Sequence, residues 1–240
     1  MSGAWRGKAL DQIRLHTLSA RTIAGRRFWI APFLPLSWLA FQILRVLAGL
    51  RPTAFAPADA QTLLIGLPLT LLGVGFGVRI IAGDIDRRTL EIAYTVPGGT
   101  HRVWIPKLLA GIALLLASLA LLALATFVFC TSFPPGALYG ALQAAVFYMV
   151  LAMALSALFR NEAAGALLAV AALALNLPLQ EADLPISPFW NPLKPSLLAF
   201  DASDVLAWTA QNRIGFLIAI VGISALAFGR AEQRERLLGA

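Results

Sequence analysis

Six stretches of this chain are each long and apolar enough to cross a bilayer, and that repetition leaves few folds open. A spanning helix needs about 20 mostly apolar residues. Residues Phe28–Leu50, Gln61–Gly83, Leu108–Ser132, Leu138–Phe159, Ala163–Leu179 and Asn212–Gly229 meet that requirement. Of the 240 residues, 59% are hydrophobic and 13% charged, against roughly 45–50% and about 25% in an ordinary globular chain. A single soluble core could not hide that excess from water, and disorder is excluded for the same reason. The fold class predicted is an all-α polytopic membrane protein with six transmembrane helices. Residues 1–27 are basic and mixed, without an apolar run before a small-residue cleavage site, so no cleavable signal peptide is expected.

The charges lie in short clusters between the apolar runs, and they set an orientation. Of 19 Lys and Arg, six lie in the N-terminal segment, four in 84–107, one at Arg160 and three from Arg230 onward. The opposite set holds Arg51, Lys194 and Arg213, while Arg45 and Arg79 fall within spans. Fourteen against three predicts that both termini are cytosolic. A net charge of +7 with this layout follows the positive-inside rule and does not point to nucleic acid.

The pieces outside the spans differ in character. Residues 1–27 place Arg6, Lys8, Arg14, Arg21, Arg26 and Arg27 around Trp5, Leu10, Ile13 and Leu18, the last three near one helical face. This fits a basic amphipathic helix along the inner leaflet; the alternative is a disordered basic tail that only sets topology. The outer loop, 180–211, carries Pro185, Pro188, Pro192 and Pro195, with Pro178 just before it, a density of proline that cannot continue a helix. Residues 196–210 read as a short amphipathic element dipping into the outer interface, with a plain surface loop as the alternative. Residues 230–240 form a cytosolic tail.

Recognisable reaction chemistry is absent from the sequence. It has no G-x-x-x-x-G-K-[ST], so ATP is not bound here through a P-loop. Gly73-Val74-Gly75-Phe76-Gly77 sits inside an apolar span, where small residues let helices approach closely. Gly136 and Gly140 form a second close-packing pattern. No nucleophile elbow, zinc-protease motif or intramembrane carboxylate pair occurs, and all 12 carboxylates fall outside the expected spans. Cys130 is the single cysteine, and His16 and His101 are the only histidines, so neither an internal disulfide nor a metal site is expected.

The segment 84–107 stands apart. Asp84, Asp86, Arg87, Arg88 and Glu91 fall within eight residues, followed by apolar Leu90, Ile92, Ala93 and Tyr94. A Pro97-Gly98-Gly99 break precedes Arg102 and Lys107. This predicts a short cytosolic helix over Asp84–Tyr94, a turn and a re-entry. On charge pattern alone the helix is equally a docking surface for another protein and a cap on its own bundle.

The same residues resemble the cytosolic loop of ABC-2 type transporter permeases. That pattern runs from acidic residues through Gly-Thr-Leu-Glu and Pro to Ser-Arg and Lys. Asp84 and Asp86 match the acidic positions, Thr89-Leu90-Glu91 the core, Pro97 the proline, Arg102 a basic position and Lys107 the lysine. Arg102 falls one or two places beyond the usual arginine, and Arg88 stands where the family usually has glycine, which alters how the loop turns. Asn191-Pro192-Leu193 resembles a further feature of the family. The layout of the whole chain is also similar: a basic N-terminal helix, six spans with both ends inside, a coupling loop between spans two and three, and an outer loop before span six.

The resemblance implies the permease subunit of an ATP-driven, type V exporter-like transporter in a bacterial inner membrane. It implies a second permease copy or paralogue and two cytosolic ATPase subunits that carry ATP and magnesium, with no cofactor and no catalytic residue on this chain. The ATPase-coupling residues would be Asp84, Asp86, Arg87, Arg88, Thr89, Leu90, Glu91, Pro97, Arg102 and Lys107. Asp84, Asp86 and Glu91 would face basic groups of the ATPase.

Polar groups within the spans are few, and Gln42, Arg45, Gln143 and Asn176 are candidates for a substrate pathway. Arg45 is also placed to snorkel to the outer headgroups, and Asn176 to cap a frayed helix end before Pro178. Arg79 is placed to pair with Asp84. Trp29, Trp38, Trp104 and Trp190 read as interfacial anchors. The scarcity of charge in the spans favours an amphipathic, lipid-like, drug or peptide cargo over a small ion. Two other classes compete with an exporter: a non-transporting membrane anchor or sensor that recruits a cytosolic partner, and an intramembrane enzyme, for which no acid, base or metal set is recognisable.

Overall fold

The structure is a computed structural model that describes residues 15–50, 54–86, 89, 94 and 99–232. A short helix α1 (15–24) leads into six longer ones. These are α2 (Phe28–Leu47), α3 (Pro57–Asp86), α4 (His101–Phe129), α5 (Pro135–Phe159), α6 (Glu162–Glu181) and α7 (Ala202–Glu232). All six are long and apolar enough to cross a membrane, with α4 the most apolar at a mean hydropathy of 2.7. The spans alternate in direction, so Asp86, His101, Phe159, Glu162 and Glu232 mark one end of the bundle, here the basic end. Pro57, Phe129, Pro135 and Ala202 mark the other.

Local chemistry explains the boundaries. Pro135 opens α5 as its first residue, where the missing N–H has no intrahelical partner to lose. Arg160 closes α5 in the left-handed conformation, φ 55°, and Asn161 then caps α6, accepting from the Ala164 N–H at 2.8 Å. The two residues between them make the tightest reversal in the bundle. α2 opens as a 3-10 turn, Phe28–Phe33, and becomes α-helical only past Pro35. Gly49 ends it with φ 69°.

α3 is the centre of the bundle, with 72% of its apolar window buried, and α7 the periphery, with 11%. The α3–α5 contact is the most extensive of all, and glycine makes it possible. A β-carbon at Gly73 would stand 2.7 Å from the Ala145 carbonyl oxygen, and one at Gly77 would overlap the Met149 carbonyl oxygen. A β-carbon at Gly75, on the other side of α3, meets nothing. Ile65, Leu69, Phe76, Ile80, Met149 and Met153 fill the core beside this seam.

Two expectations from the sequence change. The third span begins at His101, not Leu108: the helix runs through Pro106, and the Lys107 charge that marks the edge of the apolar run is paired with Asp84. The element expected over 196–210 is not separate: Pro195–Ala199 is a 3-10 turn, and residues from Ala202 are the first turns of α7. No proline interrupts 202–232, so nothing breaks the helix between its amphipathic start and its apolar middle. In α1 the buried face is Ser19, Ala20 and Ile23, whereas Leu15 and Leu18 point away from the bundle.

Candidate functional site

At the basic end, the two arms of the segment between α3 and α4 are clamped. The Lys107 ammonium donates to both carboxylate oxygens of Asp84, at 2.6 and 2.7 Å, and the Trp104 indole N–H donates to the same carboxylate at 3.3 Å. Asp84 sits in the last turn of α3 and Lys107 in the second turn of α4. The shared carboxylate therefore closes the base of the loop. Trp104 is fully buried and stacks on Phe228 of α7, with ring centres 6.3 Å apart. A carboxylate that accepts three hydrogen bonds in a desolvated setting is costly to strand, so loss of its partner is felt far more than at an exposed ion pair.

Other groups tie the same end to the remaining helices. The Asp86 carboxylate accepts from the Glu162 N–H at 3.3 Å, at the positive end of the α6 dipole. Arg79 pairs with Glu162 at 3.7 Å and donates to the Ile23 carbonyl at 2.9 Å, joining α3 to α6 and α1. The Tyr94 hydroxyl donates to the Ala231 carbonyl at 2.6 Å, and His101 faces Glu232 at 3.8 Å. Gly99, at φ 98°, sets the turn into α4.

The sequence-predicted coupling residues separate into groups. Asp84 and Lys107 pair with each other, and the Asp84 carboxylate is engaged inside the chain instead of facing a partner. Arg79 takes Glu162, not Asp84, as its partner. Asp86 is exposed at the end of α3, and Arg102 is exposed on the first turn of α4. Thr89 bonds back to the Asp84 carbonyl through its N–H at 2.9 Å. Arg87, Arg88, Leu90, Glu91 and Pro97 lie outside the described residues, as does most of the helix expected over Asp84–Tyr94.

At the opposite end, a polar lattice fastens the proline-rich segment to the bundle. Close to the start of α3 there lies a π-helical stretch, Ala60–Gly66, a form that occurs mostly as single-turn bulges within α-helices and frequently at functional sites. Gln61, buried on that stretch, donates to the Trp190 carbonyl at 2.6 Å. Asn191 donates to the Ala58 carbonyl at 2.8 Å and accepts from the Leu193 N–H at 3.0 Å. Asn212 of α7 donates to the Pro185 and Ser187 carbonyls at 2.6 and 2.9 Å. The Trp190 indole donates to Thr209 at 2.9 Å. Trp104 and Trp190, read as interfacial anchors, are instead interior residues at opposite ends, while Trp29 is exposed.

Of the pathway candidates, Gln143 comes together with Arg213 of α7 at 3.5 Å. Gln42 accepts from Arg45 of its own helix at 3.4 Å, and the Arg45 guanidinium lies 5.9 Å from the Phe41 ring centre. Asn176 is not a cap: α6 continues past it and past Pro178, and both ends of its buried amide lack a protein partner. Thr70 of α3 is likewise buried with an unpartnered hydroxyl. Thr70, Gln143 and Asn176 all stand roughly 21–24 Å from the basic end at 1.5 Å per residue, which places three spans' polar groups at one depth.

Sequence reasoning did not single out Gln61, Asn212 or Arg213. In the charge count Arg213 falls with the outer set, one residue into a span expected to open at Asn212. The usable signal was the spacing of Thr209, Asn212 and Arg213 on one continuous helix, visible only once Ala202 is known to begin it.

No metal-ligating group of three or more side chains occurs among the described residues. The fold defines a multi-pass helical membrane protein. No protein-family model, no curated protein and no solved structure matches the chain.

Proposed function

We propose that this chain is the permease subunit of an ATP-driven exporter of the ABC-2 type, with both termini in the cytosol of a bacterial cell. The observation that carries the reading is the clamp between Asp84 and Lys107, at the foot of the segment whose residues resemble the permease coupling loop. Force applied to that segment has rigid paths into the bundle. Asp84 leads into α3, Lys107 and Trp104 into α4, Trp104 and Tyr94 into α7, and Asp86 into α6. A loop tied to four spans transmits a push, where one hanging free would absorb it.

On this reading two ATPase subunits bind ATP and magnesium, a second permease copy or paralogue completes the membrane portion, and this chain supplies binding, coupling and gating. The cargo is an amphipathic or lipid-like compound, a drug or a peptide. With Asp84 engaged internally, Asp86 and Glu91 are the acidic residues of the coupling set offered to the ATPase.

The test is coexpression with the candidate ATPase subunit, followed by copurification and a screen for substrate-stimulated ATP hydrolysis. Replacing both Asp86 and Glu91 by Arg is expected to reduce copurified ATPase and turnover several-fold, because like charges then oppose across a partly desolvated contact. Wild-type levels of both in that variant would remove the coupling role. Copurification without any stimulation or efflux would favour a membrane anchor over a transporter.

A further inference from the structure

We propose that Arg213, Gln143 and Gly140 form a binding site, within the membrane, for the anionic head of an amphiphile. Arg213 lies eleven residues in from the Ala202 end of α7, about 17 Å along the helix. An ionised side chain at that depth needs a partner, yet the ion pairs among the described residues all involve other side chains. Its guanidinium instead lies 5.3 Å from the Tyr139 ring centre and makes one long hydrogen bond, 3.5 Å, to the Gln143 side-chain amide oxygen, Oε1. Most of the five N–H donors of that fork remain without an acceptor.

The surroundings add donors and no negative charge. The Gln143 amide nitrogen is buried and unpartnered. Gly140, one turn before it on α5, is where the other groups converge. A β-carbon there would stand 2.6 Å from an Arg213 guanidinium nitrogen and 2.5 Å from the Gln61 amide nitrogen. Gln61 is held in place by its bond to the Trp190 carbonyl. Glycine thus lets the Arg213 guanidinium and the Gln61 amide lie directly against the α5 backbone, which gathers N–H donors at one place and favours an anion beside them over a cation.

Access is from the side. Tyr139 is 49% exposed, and Ile214 and Leu217, flanking Arg213 on α7, are 59% and 57% exposed, so an apolar surface leads from the guanidinium along the outside of the bundle. The head must be anionic and the tail apolar. The site stands on these contacts alone and does not depend on an ATPase partner.

The experiment uses the full chain purified in mild detergent, with native mass spectrometry of retained lipid after adding phosphatidylglycerol or phosphatidylcholine of the same chain length. The wild type is expected to prefer phosphatidylglycerol by roughly tenfold, the range of a charge-assisted contact. Arg213→Gln is expected to abolish the preference. Gln143→Glu keeps the cation but sets a carboxylate before it, so it too should lose the preference while melting no lower than wild type. Arg45→Gln should keep it. An undiminished preference in Arg213→Gln or Gln143→Glu, or its loss in Arg45→Gln, overturns the site. Complete displacement of phosphatidylglycerol by an equal concentration of inorganic phosphate would show an anion site without an amphiphile, and overturns the proposal as well.

Discussion

Lys107 reaches back from the second turn of α4 to hold both oxygens of Asp84 in the last turn of α3, with only 7% and 14% of the two side chains exposed. The two partners are 23 positions apart in the chain and in direct contact. The clamp sets the spacing of α3 and α4 at the basic end and leaves the intervening segment as a closed loop on a rigid base.

Breaking that pair from one side should be worse than removing it whole. Lys107→Met strands a buried carboxylate and is expected to destabilise the chain by about 3–5 kcal/mol. Combining Lys107→Met with Asp84→Asn removes both charges and should recover much of that loss. Thermal unfolding in detergent, followed by size-exclusion chromatography, compares them. Equal melting temperatures for the single and double variants would show that the pair is not a buried clamp.

The glycines of α3 offer a comparison inside one helix. Gly75→Ala adds a methyl to open space and is expected to stabilise by up to about 1 kcal/mol through helix propensity. Gly77→Ala drives a methyl into the Met149 carbonyl and is expected to destabilise by about 1–3 kcal/mol, the range of overpacking. If the two alanines behave alike in a melting assay, α3 and α5 are not in backbone contact at Gly77.

The Asp183–Lys194 pair makes the segment after α6 sensitive to acid. Partial burial alone would raise the Asp183 carboxyl, but the hydrogen bonds from Lys194 and Ser196 and the Lys194 charge together hold it below the ordinary carboxylate value. A depressed folded pKa means the contribution is fully present above the unfolded value and is lost as pH falls through the folded one. Both groups are partly exposed, so the effect should stay under about 1 kcal/mol. Asp183 has φ 53°, a conformation Asn also tolerates, so Asp183→Asn isolates the charge. Melting temperatures from pH 7 to pH 3 should converge for the two proteins at the acid end; parallel curves would sink the assignment.

Topology follows from the basic residues and can be read with single cysteines in a Cys130→Ala background. An impermeant thiol reagent applied to intact cells should label Ala56→Cys, exposed beside the start of α3, and spare Arg102→Cys, exposed at the start of α4. Permeabilised cells should label both. The reverse pattern would invert the protein in its membrane.

Much of this architecture is legible in the sequence because lipid imposes a length and a composition on any crossing helix. The six runs each became one long helix, and Gly73 and Gly77, read as close-packing residues, lie on the α3–α5 seam. Ends were harder. The third span reads as opening at Leu108 and the sixth at Asn212, yet α4 opens at His101 and α7 at Ala202, because charged residues at the edge of an apolar run, Lys107 and Asp204 among them, lower its hydropathy without breaking the helix.

By itself the sequence determined the class of fold, the number of spans and the grouping of charge, because each depends on hydropathy summed over some twenty neighbouring residues. Only the tertiary structure decided which polar groups meet. It gave Asp84 to Lys107 instead of Arg79, gave Arg79 to Glu162, buried Trp104 and Trp190, and brought Arg213 over Gly140 beside Gln143. Those pairings join residues from 23 to 83 positions apart. They depend on the rotation and offset of one helix against the next, which the side chains of both helices fix jointly and neither encodes alone.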